Sequence, residues 1–94
     1  MHRYVIERDL PGVGKLSGEQ LQGVRETSNK ALSETPPGIQ WVQSLVTEDR
    51  IYCHYLADDP ELVREHARIA GFPCNKVTEV KAIVDPMIAT LQEV

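Results

Sequence analysis

The spacing of apolar residues switches along the chain between every second position and every third or fourth, and each switch marks an element. Residues 3–8, RYVIER, alternate with period two and carry β-branched side chains, which predicts a first strand. DLPGVGKLS then breaks the rhythm with two glycines and reads as a loop; it lacks the Lys-Ser/Thr ending of a phosphate loop. From Ser17 the period becomes helical. Ser17 and Gln20 form a Ser-x-x-Gln capping box, and Leu21, Val24, Ser28, Ala31 and Leu32 make one stripe. TPPG at 35–38 stops this helix, because proline cannot continue it.

Residues 39–47, IQWVQSLVT, and 50–57, RIYCHYLA, return to strand composition, with only Glu48 and Asp49 between them. A link that short predicts a tight hairpin. It sets Thr47 against Arg50, Ser44 against Cys53 and Gln43 against His54. Asp59 then caps a second helix with Pro60 in its first turn, where the missing N–H costs nothing. That helix is predicted to run to about Ala70, with Gly71 and Pro73 closing it. KVTEVKAIVD, residues 76–85, reads as the last strand, and from about residue 87 the tail is expected to be loose or to add a turn of helix.

The order strand, helix, strand, strand, helix, strand in one domain of 94 residues predicts an α+β fold. Its arrangement is the ferredoxin-like βαββαβ sandwich, four antiparallel strands with both helices on one face. Strand parity then divides the candidates. Tyr4, Ile6, Val42, Ser44, Val46, Ile51, Cys53, Tyr55, Ala57, Val80, Ala82 and Val84 are assigned to the helix side. Val5, Glu7, Trp41, Gln43, Leu45, Tyr52, His54, Leu56, Glu79 and Ile83 are assigned to the open face. An open face carrying a tryptophan and a tyrosine is expected to be covered, by a second copy of the chain in a homodimer or by a small-molecule ligand in a cavity.

Composition narrows the class. With 41% hydrophobic and 26% charged residues the chain is an ordinary globular one, and its formal charge of −4 argues against nucleic acid. No apolar run is long enough for a membrane span, and the N-terminal residues lack the apolar core of a signal peptide. Two cysteines make no disulfide framework, so a cytoplasmic location with reduced thiols is the expectation.

The candidate chemistry concentrates in RIYCHYLADDPELVREHARIAGFPC, which holds both cysteines and two of the three histidines. Thiolate and imidazole together suit nickel, zinc or copper, with carboxylates completing the shell. Neighbours in a strand point to opposite faces, so Cys53 and His54 do not share one ion. His66 lies near the buried stripe of the second helix and can approach Cys53 from that side. The structural alternative makes Cys53 a buried small hydrophobe and His66 a histidine satisfied by a carbonyl or carboxylate. Catalytic alternatives are Glu7 with Glu79 as general base and partner, or Cys53 with His66 as a thiolate–imidazolium pair.

The segments YVIERDLPGVG, IQWVQSLVTEDRIYCHY, REHARIAGFP and VTEVKAIVDP together resemble the bacterial DUF4242 proteins, small ferredoxin-like domains with nickel-binding members. The resemblance spans residues 3–86. It implies a dimer and, by position, a metal site drawing on Glu7, Cys53 and His66. Gln43 stands where some of those proteins carry His, and His54 opposite it would supply an imidazole at nearly the same place. The expectation is a homodimer that binds nickel, or another divalent transition metal such as zinc, for buffering or sensing without chemical turnover. Its metal ligands are Cys53, His66, Glu7 and His54. An enzyme with a cavity on the open face, or a plain interaction module, are the competing classes.

Overall fold

In a computed structural model the chain is described over residues 1–91. Strand β1 (His2–Asp9) is followed by a short 3-10 turn (Val13–Lys15) and helix α1 (Gly18–Glu34). Strands β2 (Ile39–Val46) and β3 (Arg50–Ala57), helix α2 (Pro60–Ala70) and strand β4 (Lys76–Glu79) complete the main body. The sheet order is β2-β3-β1-β4 with every pairing antiparallel. This is the ferredoxin-like arrangement expected from the element order.

The end signals act as the sequence predicts. Ser17 Oγ accepts from the Gln20 N–H while the Gln20 side chain accepts from the Ser17 N–H. Asp59 accepts from the Glu61 N–H at 2.7 Å, and Gly71 ends α2 with φ 75°, a left-handed backbone that glycine adopts without strain. Thr47 N–H donates to Arg50 O across the two-residue link, and Ser44 faces Cys53 and Gln43 faces His54. The core lies between the sheet and both helices, where Tyr4, Ile6, Ile51, Cys53, Tyr55, Ala57 and Val63 are buried.

Two expectations of parity fail. The register of β2 shifts between Trp41 and Gln43, leaving Val42 as an extra residue on that strand. Trp41 therefore pairs with Tyr55 and sits on the helix side, packed against the core, while Val42 is 42% exposed. Burying the larger indole accounts for the shift, since it removes more apolar area from water than burying valine would. The second failure is in the last strand. Glu79 pairs with Tyr4, so it lies on the helix side and not on the open face with Glu7. By this register a strand continuing past Lys81 would run beyond His2, where β1 begins.

The chain instead turns into a separate two-stranded hairpin, β5 (Ala82–Val84) with β6 (Ala89–Leu91). Asp85 Oδ1 holds its turn by accepting from the Met87 and Ile88 N–H groups, both at 2.8 Å. Val80, Ala82 and Val84 thus leave the helix-side core, and Ile83 belongs to this hairpin. The tail expected to be loose from about residue 87 forms β6, and its remainder, 92–94, lies outside the described residues. No helix among the described residues is long and apolar enough to cross a membrane.

Candidate functional site

The four expected ligands divide two and two. Cys53 and His66 lie on the helix side, 4% and 0% exposed, while Glu7 and His54 lie half-buried on the open face. Among the described residues no three side chains of His, Cys, Asp or Glu gather as a metal site would require. Cys74 is half-buried in the loop after α2, and both cysteines are free thiols. His2 stands 3.5 Å from Glu79, whose carboxylate also bonds Lys81 Nζ at 2.8 Å. Lys81, and after it His2, hold that carboxylate below the usual range, which makes Glu79 a poor base. Glu7 receives Arg50 at 3.4 Å on the other face, so the expected pairing of Glu7 with Glu79 does not form.

Cys53 and His66 are joined through other residues. Arg8 Nε donates to Cys53 Sγ at 3.4 Å, and one of its terminal nitrogens donates to Tyr55 Oη at 3.2 Å. The other terminal nitrogen donates to the Pro73 carbonyl at 2.6 Å. Tyr55 Oη lies 3.2 Å from His66 Nδ1, and His66 Nε2 lies 3.1 Å from the Ser28 carbonyl. A carbonyl only accepts, so Nε2 carries the ring proton and Nδ1 accepts from the Tyr55 hydroxyl. Burial, reinforced by the Arg8 charge and opposed by the Ser28 carbonyl, lowers the His66 pKa from its ordinary value. Burial chiefly raises that of Tyr55, keeping it a donor.

The second donor to Cys53 is Ser44, whose Oγ lies 3.0 Å from Sγ and itself accepts from the Trp41 indole N–H at 3.0 Å. The bulge at Val42 brings Trp41 into this chain of bonds. Both ring nitrogens of His66 are thus committed, Nε2 as donor and Nδ1 as acceptor, and the Cys53 sulfur faces a guanidinium. A divalent cation on this pair would have to break the Tyr55–His66 bond and sit beside a buried positive charge. In the arrangement seen, Cys53 and His66 do not fit a metal.

Arg8 is the residue that strand reading overlooks. It is 2% exposed, stacks over the Phe72 ring at 5.6 Å, and has no carboxylate within ion-pair distance among the described residues. Parity held the signal: Arg8 shares its face with Tyr4 and Ile6, both core residues. Its three hydrogen-bond acceptors are a thiol, a phenol and a peptide carbonyl.

The network borders a cavity of about 430 Å³ between the sheet and the N-terminal half of α1. Leu10, Val13 and Leu16 close it on one side, Leu21 and Val24 come from α1, and Trp41 forms part of the sheet wall. Arg8, Ser44, Cys53 and Tyr55 contribute its polar end. The segment over it hangs from the β2–β3 turn, where Gly14 N–H donates to Glu48 O at 2.9 Å and Gly12 N–H to Asp49 Oδ1 at 2.8 Å. This cavity lies on the helix side of the sheet, opposite the open face on which the sequence reading placed one.

Comparisons with known proteins give a family and a fold. The model of a family described as nickel responsive proteins, SCO4226-like, matches residues 4–80. The crystal structure of SCO4226 from Streptomyces coelicolor A3(2) superposes with a TM-score of 0.69 at 16% sequence identity. That match covers 83% of this chain and 94% of the other, and at such identity the likeness is one of fold. No curated protein sequence matches the chain.

Proposed function

This chain belongs to the SCO4226-like family of nickel responsive proteins, and from that premise we propose that it binds a nickel-type divalent metal in buffering or sensing, without chemical turnover. The DUF4242 grouping read from its motifs and a cytoplasmic setting that keeps its thiols reduced are parts of the same reading.

The observation that carries it is His54. Its imidazole is half-buried at the middle of the open face, across from Gln43 on β2 and Val5 on β1. Its side chain makes no hydrogen bond or ion pair among the described residues. Glu7, two positions along the neighbouring strand, offers a carboxylate diagonally across the ladder. Imidazole with carboxylate suits nickel or zinc, but two donors from one chain do not fill a coordination shell. A homodimer that apposes the open faces doubles the set and covers Val5, Leu45, Tyr52 and Leu56. Cys53 and His66 take no part while the Arg8–Tyr55 network is intact.

Calorimetric titration of tag-free protein with Ni²⁺ and Zn²⁺ tests this. Dissociation constants below about 1 mM are expected, with His54→Ala weakening binding at least about tenfold, the loss of one ligand. Cys53→Ser and His66→Gln should leave the affinity nearly unchanged. Binding weaker than millimolar removes the metal reading, and loss of binding in the Cys53 or His66 variant moves the site to the helix side.

A further inference from the structure

We infer that the helix-side cavity is a binding site for a small amphipathic organic anion, a monocarboxylate with an apolar body, whose charge is met by Arg8.

The charge balance comes first. A guanidinium withdrawn from water is costly unless an anion answers it. Arg8 is 2% exposed and finds only neutral acceptors in Pro73 O and Tyr55 Oη, with the Cys53 sulfur as third. A guanidinium has five N–H donors, and these three contacts leave one on each terminal nitrogen. Those two remaining N–H groups are the donors that an incoming carboxylate would take.

The walls give the rest of the ligand. Among the described residues no Asp or Glu lines the cavity, whereas a second arginine, Arg25, stands exposed at its edge on α1. The field inside therefore favours an anion. Most of the remaining lining is apolar, including leucines, valines, Ile51, Phe72 and the Trp41 ring, and it would strip water from a multiply charged or sugar-like ligand without replacing most of its hydrogen bonds. A volume of about 430 Å³ admits a small ligand and falls in the range usual for such pockets. One charge at one end and an unbranched or aromatic apolar body satisfy all three conditions. This site is separate from the open face proposed for metal and does not depend on it.

Trp41, the single tryptophan, lies in the cavity wall and serves as reporter. Octanoate and 1-octanol, equal in carbon number and different in charge, are titrated against its fluorescence. Octanoate is expected to change the emission saturably and to bind at least about tenfold tighter than the alcohol, the difference a charge-assisted bond makes. Arg8→Gln should abolish that preference. Val24→Phe, which narrows the cavity from α1 without touching the polar network, should weaken octanoate. Equal affinity for the two probes, or no saturable change with octanoate, overturns the inference without any variant being needed. A folded Arg8→Gln protein that keeps the preference, or a Val24→Phe protein that binds octanoate unchanged, overturns it as well.

Discussion

The hydroxyl of Tyr55 stands 3.2 Å from Nδ1 of His66 and donates to it, because the Ser28 carbonyl holds the ring proton on Nε2. The network running from Cys53 through Arg8 and Tyr55 to His66 and Ser28 ties β1, β3, α2 and α1 together at one point.

Stability should fall in mild acid. The folded-state pKa of His66 lies below its ordinary value, mainly because the ring is buried. An unfolded chain therefore takes up a proton before the folded one does. The contribution is complete above pH 6.5 or so and is lost as pH falls toward the lowered folded value. Urea midpoints measured between pH 8 and pH 5 should drop through this window. His66→Gln should be less stable at pH 8 and show a flatter profile; an equally steep one would assign the acid sensitivity elsewhere.

Ser44 and Trp41 should be energetically coupled. Ser44 Oγ accepts from the indole N–H and lies within bonding distance of the Cys53 sulfur. Ser44→Ala should cost about 1–2 kcal/mol, since it leaves a part-buried donor unpaired. Trp41→Phe removes that donor, so the second loss should be smaller in its background. A double-mutant cycle should give a coupling of roughly 1 kcal/mol, and strict additivity would show that the bond contributes nothing.

Much of the fold was legible because its signals are local. The Ser17–Gln20 box, the Asp59–Pro60 start and the Glu48–Asp49 turn each act within four residues, and each appears as expected. The errors come from carrying alternation across a point where it breaks. Nothing in IQWVQSLV marks Val42 as the extra residue, because the shift is chosen by how much apolar area Trp41 can bury in three dimensions. The end of β4 depends likewise on where β1 begins. Arg8 was readable by parity, but its partners, up to Pro73, are contacts between distant parts of the chain.

Gly14→Ala should loosen the cover of the cavity. A Cβ at Gly14 would meet the Glu48 Cα at 2.7 Å and the Thr47 carbonyl at 2.8 Å, both of them backbone atoms that cannot step aside. A loss of about 1–3 kcal/mol is expected from that overpacking. Hydrogen exchange should quicken at the Gly14 N–H, which donates to Glu48 O. Unchanged exchange there would mean the segment is held by other contacts.

The hairpin should contribute to association. Val84, Met87 and Leu91 are 77%, 88% and 76% exposed, more apolar surface than a free hairpin keeps in water without consequence. In the homodimer proposed above they extend the covered area beyond the sheet. Sedimentation velocity should find a dimer, shifted toward monomer by Val84→Asp with Leu91→Asp. A monomer at every concentration would remove the homodimer, and a dimer indifferent to both charges would leave the hairpin out of it.

The bulge at Val42 also affects how this chain is compared with others. Beyond that point every residue back to Ile39 is one step out of phase with an unbroken β2. Alignment to a relative whose second strand is regular needs a one-residue gap at Val42. Without the gap, Trp41 is matched to a position of the opposite face, and a residue of the cavity wall would be read as a surface aromatic.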